Sequence, residues 1–247
     1  MACGAARQGD ICRFCWLGRV EYARAREMQK MLAEDVSTGG PGILLFLEHP
    51  PTYTLGHRGR DANMLLPREA LMDLGAAVVH TDRGGDITFH GPGQLIGYPI
   101  IDLKRLQTSV GRYMRKLEEV LIQAVSHLGV LAERCGGYTG VWVNNEKVAA
   151  IGVKITARSI TQHGFALNVN TDLNYFRHII PCGIKDKGVT TLSGLLGREI
   201  DPAALAPVIA AAFGEVFRAE MIEVTPESIL LAERSKTGTT AVSTRFS

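Results

Sequence analysis

Apolar residues recur along this chain at spacings that predict both helices and strands. After Ser109, a good N-cap, apolar positions step by three and four residues until Gly129, which is the pattern of an amphipathic helix. The members of this stripe are Val110, Tyr113, Met114, Leu117, Leu121, Val125 and Leu128. We predict that the stripe packs into the core and forms no cofactor site.

Further segments complete the pattern. Helical spacing predicts helices over 20–36, from Pro67 to Gly75, and from Asp201 to about Arg218, with Pro207 as a possible kink. Strands are predicted at the apolar run 43–47, at 77–79, at 141–143, at 147–155 and at 165–169, with a turn at Asn144-Asn145. Helices and strands interleave without βαβ regularity, which favours an α+β fold with a mixed or antiparallel sheet packed with helices.

Length and composition narrow the class of protein. The 247 residues are 46% hydrophobic and 21% charged, as in ordinary globular proteins. We expect one domain over 1–233 and a flexible tail over 234–247, which has little to bury. The net charge of +2 is too small to predict a nucleic-acid partner. No apolar run approaches the roughly 20 residues of a membrane span, so no membrane partner is expected.

The five cysteines form no dense framework, and five cannot all pair. In a chain of this size that favours a reducing compartment. Cys12 and Cys15 have metal-like or redox-like spacing, but no second pair follows at finger spacing. We therefore predict no metal site.

Four motifs follow one another in the chain. They are Arg83-Gly84-Gly85 through Gln94, Glu146 to Gly152, His163 to Asn168, and Ile180-Pro181-Cys182-Gly183. Together they resemble the octanoyl-acyl-carrier-protein:protein octanoyltransferase family, also called lipoate-protein ligase B. The resemblance spans about 43–195 and implies the biotin/lipoate protein ligase-like fold.

Cys182 and Lys147 are the candidate catalytic residues. Spacing alone favours a small buried side chain at Cys182 and a solvated lysine at 147, because those are the common environments of these residue types. The resemblance implies instead that Cys182 is the acyl-accepting nucleophile and that Lys147 pairs with it and favours its thiolate form. Lys154 is a rival cation from the sequence alone. A thiol suits exchange between thioesters, which is nearly balanced, and the thiolate is the reactive form.

The remaining candidates are predicted to bind substrate in an apolar slot. Glycines allow close approach of a backbone to a ligand, and small apolar side chains leave room for a medium-length acyl chain. The predicted substrate-binding residues are Arg83, Gly84, Gly85, Asp86, Ile87, Thr88, Phe89, His90, Ala150, Ile151, Gly152, Gly164, Phe165 and Ala166. Tight loops and core packing explain these segments almost as well.

His90 is expected to be a structural histidine in the slot wall, since the chemistry leaves it no required proton transfer. Gly152 and Gly164 are expected to border the acyl chain, with added side chains there filling the slot.

The resemblance implies the first step of endogenous lipoate synthesis. Octanoyl would pass from the phosphopantetheine of acyl carrier protein to Cys182, and then to a lysine of a lipoyl domain or glycine-cleavage H protein. Lys147 would act as the base, and peptide N–H groups near Gly183 or Lys147 would hold the oxyanion. The amide product is more stable than a thioester, so no cofactor, ATP or metal is expected. Two alternatives stay open: an ATP-dependent lipoate or biotin ligase, and a non-catalytic scaffold that binds a carrier protein.

The compartment is a separate expectation. Nothing near Met1 has the pattern of a secretory signal, so secretion is not expected. The segments Tyr138 to Trp142 and His178 to Gly183 look more like eukaryotic members, which favours the mitochondrial matrix; a bacterial member would be cytoplasmic.

Overall fold

The computed structural model describes residues 11–184 and 186–229. The predicted tail at 234–247 lies outside the described residues. The helices are α1 (Tyr22–Ser37), α2 (Arg68–Asp73), α3 (Val110–Ser126), α4 (Leu192–Leu196) and α5 (Pro202–Phe217). The strands are β1 (Ile11–Arg19), β2 (Gly42–Glu48), β3 (Thr52–Leu55), β4 (Ala77–His80), β5 (Ile87–His90), β6 (Gln94–Ile100), β7 (Glu133–Cys135), β8 (Tyr138–Val143), β9 (Glu146–Ile155), β10 (Thr161–Asn168), β11 (Gly188–Val189) and β12 (Glu220–Glu223). Short 3₁₀ turns lie at Asp61–Asn63, Leu173–His178 and Pro181–Gly183.

The described strands form two sheets. The large sheet has nine strands in the order β12-β1-β2-β6-β10-β9-β8-β7, with β11 paired to β9. β1 runs parallel to both β12 and β2, and β11 runs parallel to β9, whereas the pairs from β2 to β7 are antiparallel. The small sheet has the order β4-β3-β5. The predicted mixed sheet packed with helices is confirmed, while the single domain over 1–233 stays a prediction.

The two faces of the large sheet pack against different helices. Side chains of a strand alternate between its faces, so each strand contributes to both sides. One face packs with α3 and α5 into the main core, which includes Phe46, Phe165 and Leu121. The other face packs under α1 around Leu45 and Ile96. The small sheet has its own apolar cluster.

β1 was not predicted from the sequence. Because Cys12 and Cys15 both lie on this strand, it determines which face of the sheet each side chain points to. Cys12 lies in the core under α5, whereas Cys15 lies in the cluster under α1. Residues three apart on a strand point to opposite faces, so the two sulfurs cannot bind one metal ion together. Both are buried free thiols.

The long helices agree with the sequence pattern in most positions. Ser109 caps α3 by accepting a hydrogen bond from the Arg112 N–H. α5 continues through Pro207 to Phe217. One member of the predicted stripe is wrong as a core residue: Val110 lies in the first turn of α3 and is 48% exposed. It lines an open groove described below.

Candidate active site

A cleft lies between the large sheet and the small sheet. Its walls come from the 83–86 loop and β5 on one side, from β9 and β10 on the other, and from α1, with Cys182 among the lining residues. The lining residues are Tyr22, Arg83, Gly84, Gly85, Asp86, Thr88, His90, Tyr98, Ala150, Ile151, Gly152, His163, Gly164, Phe165, Ala166 and Cys182. The cleft contains about 480 Å³ of space between protein atoms, part of which is open to solvent.

Cys182 and Lys147 meet in this cleft. The Lys147 Nζ donates a hydrogen bond to the Cys182 Sγ over 3.5 Å. Cys182 lies in the 3₁₀ turn Pro181–Gly183 with φ 57° and ψ 16°, in the left-handed region. For a residue other than glycine this conformation costs about 1–3 kcal/mol, and such strain concentrates at functional sites. Cys182 is half-buried, and Lys147 is buried.

The β8–β9 hairpin positions Lys147. Trp142 is its partner across the ladder, and the Lys147 Nζ lies 4.8 Å from the centre of the buried indole, in cation–π contact. Gly140 has φ 126°, and a Cβ there would lie 3.3 Å from the Lys147 Cε. Because Gly140 has no side chain, the Lys147 side chain can pass it without a clash. Lys154 instead bonds to the Asp82 Oδ2 over 2.7 Å.

Arg83 places a second cation beside the cleft. Its buried guanidinium donates to the Thr54 carbonyl over 2.6 Å, to the Thr54 hydroxyl, and to the Gly84 carbonyl. Burial lowers the pKa of Arg83, and the negative charges of Tyr22 and Cys182 act in the opposite direction. Arg83 and Cys182 line the same cleft, so the guanidinium can interact electrostatically with a thiolate there.

His90 belongs to a buried hydrogen-bond chain. Its Nδ1 lies 2.8 Å from the Gln94 Oε1, and its Nε2 lies 3.2 Å from the Thr54 hydroxyl. Because an amide oxygen only accepts, Nδ1 carries the proton and Nε2 accepts. Burial lowers the pKa of His90 well below its ordinary value. Gln94 continues the chain to Asn168, which donates to the Thr190 carbonyl.

Three cleft residues were missed by the sequence analysis: Tyr22, Tyr98 and His163. The Tyr98 hydroxyl bonds to the His49 Nε2 over 2.7 Å, while the His163 Nε2 donates to the Asp82 Oδ1 over 2.9 Å. Burial of Asp82 alone would raise the pKa of its carboxyl, but hydrogen bonds from Lys154 and His163 outweigh burial and hold it well below its usual range. A buried polar tip on an apolar strand or helix is the signal that could have marked these residues.

The structure does not bring all predicted slot residues together. Ile87 and Phe89 point into the apolar cluster of the small sheet, because they alternate with Thr88 and His90 along β5. They therefore lie outside the lining of the cleft that the other predicted substrate-binding residues share. Phe165 borders the cleft, but its ring packs over Gly97 in the main core.

The expected roles of two glycines also change. A Cβ at Gly164 would lie 2.1 Å from the Gly97 carbonyl oxygen, so a side chain there would collide with β6 before it could fill the slot. The Gly183 N–H donates to the Ile180 carbonyl over 3.0 Å and is already engaged. It does not serve as a free oxyanion donor in this conformation.

A wide groove leads outward from Cys182. Its lining includes Arg58 and Arg60, which follow β3, and Val110, Met114 and Tyr138, which belong to α3 and β8. Lys147 and Cys182 line the same groove. The cleft and the groove therefore share Cys182, which separates a narrow inner space from an open outer one.

Residues 11–184 and 186–229 contain neither a cluster of metal ligands nor a helix suited to a membrane. No cluster of three or more His, Cys, Asp or Glu side chains there could hold a metal ion. No helix in that part of the chain is long and apolar enough to cross a membrane.

The fold of this molecule is similar to that of lipoate protein ligases. A lipoate-protein ligase A bound with ATP superposes with a TM-score of 0.69 at 15% identity, covering 93% of this chain and 95% of that one. A bi-partite lipoate protein ligase from Thermoplasma acidophilum superposes with a TM-score of 0.71 at 16% identity, covering 93% of each chain. At such low identity, these likenesses establish the fold alone.

Sequence comparison then gives the family. The chain belongs to the lipoyl protein ligase A/B catalytic domain family, whose model matches residues 21–214. An octanoyltransferase from Rubrobacter xylanophilus is 53% identical, covering 81% of this chain and 90% of that protein. One from Chloroflexus aurantiacus is 47% identical, covering 83% and 93%. The predicted family is confirmed, and the activity is octanoyl transfer in lipoate biosynthesis, an acyltransferase reaction.

These relatives do not support the expected compartment. The octanoyltransferases named above come from bacteria, so the preference for the mitochondrial matrix is unsupported. The similarity of the segments around Trp142 and Cys182 to eukaryotic members was too local to decide this point.

Proposed function

We propose that this protein transfers octanoyl through a thioester on Cys182. The observation that carries the proposal is the 3.5 Å contact between the Lys147 Nζ and the Cys182 Sγ, where the narrow cleft meets the open groove. An ammonium next to a sulfur favours the thiolate, which is the nucleophilic form of cysteine. The cleft then binds the acyl chain. The groove binds the carrier arm that delivers the chain and the acceptor lysine that receives it.

The first half-reaction exchanges one thioester for another. The donor is octanoyl on the phosphopantetheine of acyl carrier protein. The Cys182 thiolate attacks the carbonyl carbon, the new C–S bond forms, and the bond to the carrier sulfur breaks. The carrier leaves as a thiolate and takes up the proton released when Cys182 ionised. The acyl chain lies along Ala150, Gly152 and Ala166 and opposite Thr88, where small side chains leave room.

The second half-reaction forms an amide. A lysine ε-amine of a lipoyl domain or of glycine-cleavage H protein attacks the Cys182 thioester, and Lys147, in its neutral form, takes the proton of the attacking nitrogen. The C–S bond breaks and Cys182 is restored. A lipoyl-domain acceptor is supported by the Thermoplasma neighbour, whose structure includes its E2 lipoyl domain. Arg83, close to Cys182, offsets negative charge during both steps.

Intact mass spectrometry tests the intermediate. Purified protein is mixed with octanoyl acyl carrier protein without an acceptor, and we expect one octanoyl adduct on the enzyme. Cys182→Ala should remove the adduct. Cys135→Ala is the matched control, since Cys135 is a half-buried free thiol on β7, away from the cleft and the groove. An adduct that persists in Cys182→Ala contradicts the proposal. Efficient transfer from free octanoate with ATP, independent of Cys182, would favour the ligase mechanism instead.

A further inference from the structure

The groove outside Cys182 has an asymmetric charge distribution. Its charged lining residues are Arg58, Arg60, Lys147 and Asp86, so cations outnumber carboxylates by three to one. Lys147 is engaged with Cys182. The two arginines are exposed, and neither guanidinium has an ion pair or hydrogen bond among residues 11–184 and 186–229.

The backbone of this arginine segment is tied to the Cys182 turn. The Arg60 N–H donates to the Asp86 Oδ1 over 3.1 Å, and the Arg58 N–H donates to the Gly85 carbonyl over 3.0 Å. The other Asp86 oxygen accepts from the Asn63 side chain and lies 2.9 Å from the position of a Cβ on Gly183. The backbone of the two arginines is therefore fixed relative to the turn that carries Cys182, and both residues line the groove outside that turn.

Asp86 does not cancel the charge of the arginines. Its carboxylate already accepts bonds from the Arg60 N–H, the Asn63 amide and the Ile87 N–H. The guanidinium groups remain free to bind an anion in the groove. Guanidinium groups bind phosphate oxygens with paired N–H bonds, which a neutral ligand cannot accept as strongly.

We infer that Arg58 and Arg60 form a subsite for the phosphate of the phosphopantetheine arm that carries the octanoyl group. This inference rests on the proposed thioester mechanism. A thioester donor must enter through the groove to reach Cys182, and its arm carries a single anionic group at the end away from the sulfur. Val110, Met114 and Tyr138 also line the groove, and their largely apolar surfaces suit the uncharged middle of the arm.

A comparison of two small donors isolates the contribution of this phosphate to the rate of octanoyl loading. Octanoyl-pantetheine and octanoyl-4′-phosphopantetheine differ only in the phosphate. The rate of octanoylation of Cys182 is measured by intact mass for both donors, without an acceptor. We expect the unsubstituted protein to prefer the phosphorylated donor about tenfold. The double variant Arg58→Ala with Arg60→Ala should lower that ratio to about one.

Matched variants and the full carrier complete the test. Arg198→Ala removes another exposed arginine, one outside the groove lining, and should keep the tenfold ratio. Octanoyl acyl carrier protein should load the double variant about tenfold more slowly than the unsubstituted protein.

A ratio near one in the unsubstituted protein, or a tenfold ratio kept in the double variant, overturns the subsite. A carrier rate unaffected by the double substitution overturns its assignment to the carrier arm. Absence of any Cys182 adduct from all donors overturns the thioester mechanism as well as the subsite.

Discussion

The two faces of the large sheet carry different side chains, although the same strands form both. On β10, Phe165 and Leu167 pack towards α3 and α5, whereas Ala166 and Asn168 face the cleft and the small cavity behind Lys147. The helix side is closely packed and apolar, and its burial stabilises the fold. The cleft side holds buried histidines, amides and a guanidinium that are stable only because hydrogen bonds satisfy them. The comparison indicates that one face maintains the structure and the other is available for chemistry.

The largest expected effect tests the helix side. Leu121 is fully buried between α3 and the sheet. Leu121→Ala should lower the free energy of unfolding by about 3 kcal/mol, because it removes buried methyl groups and leaves a cavity. Urea denaturation measures this change. The folded variant should still load octanoyl on Cys182 at the unsubstituted rate, and a large loss of loading would mean that the two faces are not separable.

Acid should destabilise the protein through the cleft side. Burial lowers the pKa of His49 to about 4, against a weaker opposing effect of its hydrogen bond to the Val20 carbonyl, and burial likewise lowers that of His163 to about 4. The unfolded chain takes up these protons near pH 6.5, whereas the folded protein does so only near pH 4. Stability is therefore lost as the pH falls from about 6.5 to 4, by about 3 kcal/mol for each of the two groups.

His49→Gln isolates one of these contributions. The Gln amide can donate to the Val20 carbonyl and accept from the Tyr98 hydroxyl, as His49 does, but it does not titrate. Urea denaturation at several pH values should show a shallower loss of stability in the variant between pH 6.5 and 4. Equal slopes in the two proteins would rule out His49 as a source of acid sensitivity.

The third prediction concerns the mouth of the cleft. Lys147→Met removes the charge next to Cys182, so alkylation of Cys182 should need a higher pH, and octanoyl loading should slow about tenfold. A tenfold change corresponds to about 1.4 kcal/mol, which a close ammonium can supply. The pH dependence of iodoacetamide labelling measures the shift. Lys154→Met should leave that profile in place, since Lys154 bonds to Asp82; the reverse outcome would assign the activation to Lys154.

The smallest effect compares two neighbouring alanines on opposite sides of β9. Ala150 lines the cleft, whereas Ala149 packs in the main core. Ala150→Val should lower octanoyl loading relative to butyryl loading by about tenfold, the lower end of the range expected for a methylene-sized change in an apolar site. Ala149→Val should cost about 1–3 kcal/mol of stability by overpacking and leave that ratio unchanged. Equal ratios in both variants would contradict the assignment of this side to the acyl chain.

Local patterns predicted most of the elements but not the contacts between them. Ser109 marked the start of α3, and the Asn144-Asn145 turn marked the β8–β9 hairpin, because capping and turn formation involve only a few neighbouring residues. Alternation along 87–90 would have separated Ile87 and Phe89 from Thr88 and His90, had the segment been treated as a strand. β1 and β12 were missed because neither has a clear alternation of apolar and polar residues; β1 is held as a strand by pairing with β2 and β12, and β12 by pairing with β1.

The sequence by itself determined the family motifs, the order of most helices and strands, and the residue types that the chemistry uses. Only the tertiary structure decided which residues meet. Lys147 rather than Lys154 reaches Cys182, although both lie on β9, because Lys147 lies at the end of the strand that pairs with β8 and β11, whereas Lys154 lies near the other end, beside Asp82. Tyr22 and Tyr98 join one cleft from distant positions. Such contacts depend on sheet register and packing between segments far apart in the chain, which no local pattern specifies.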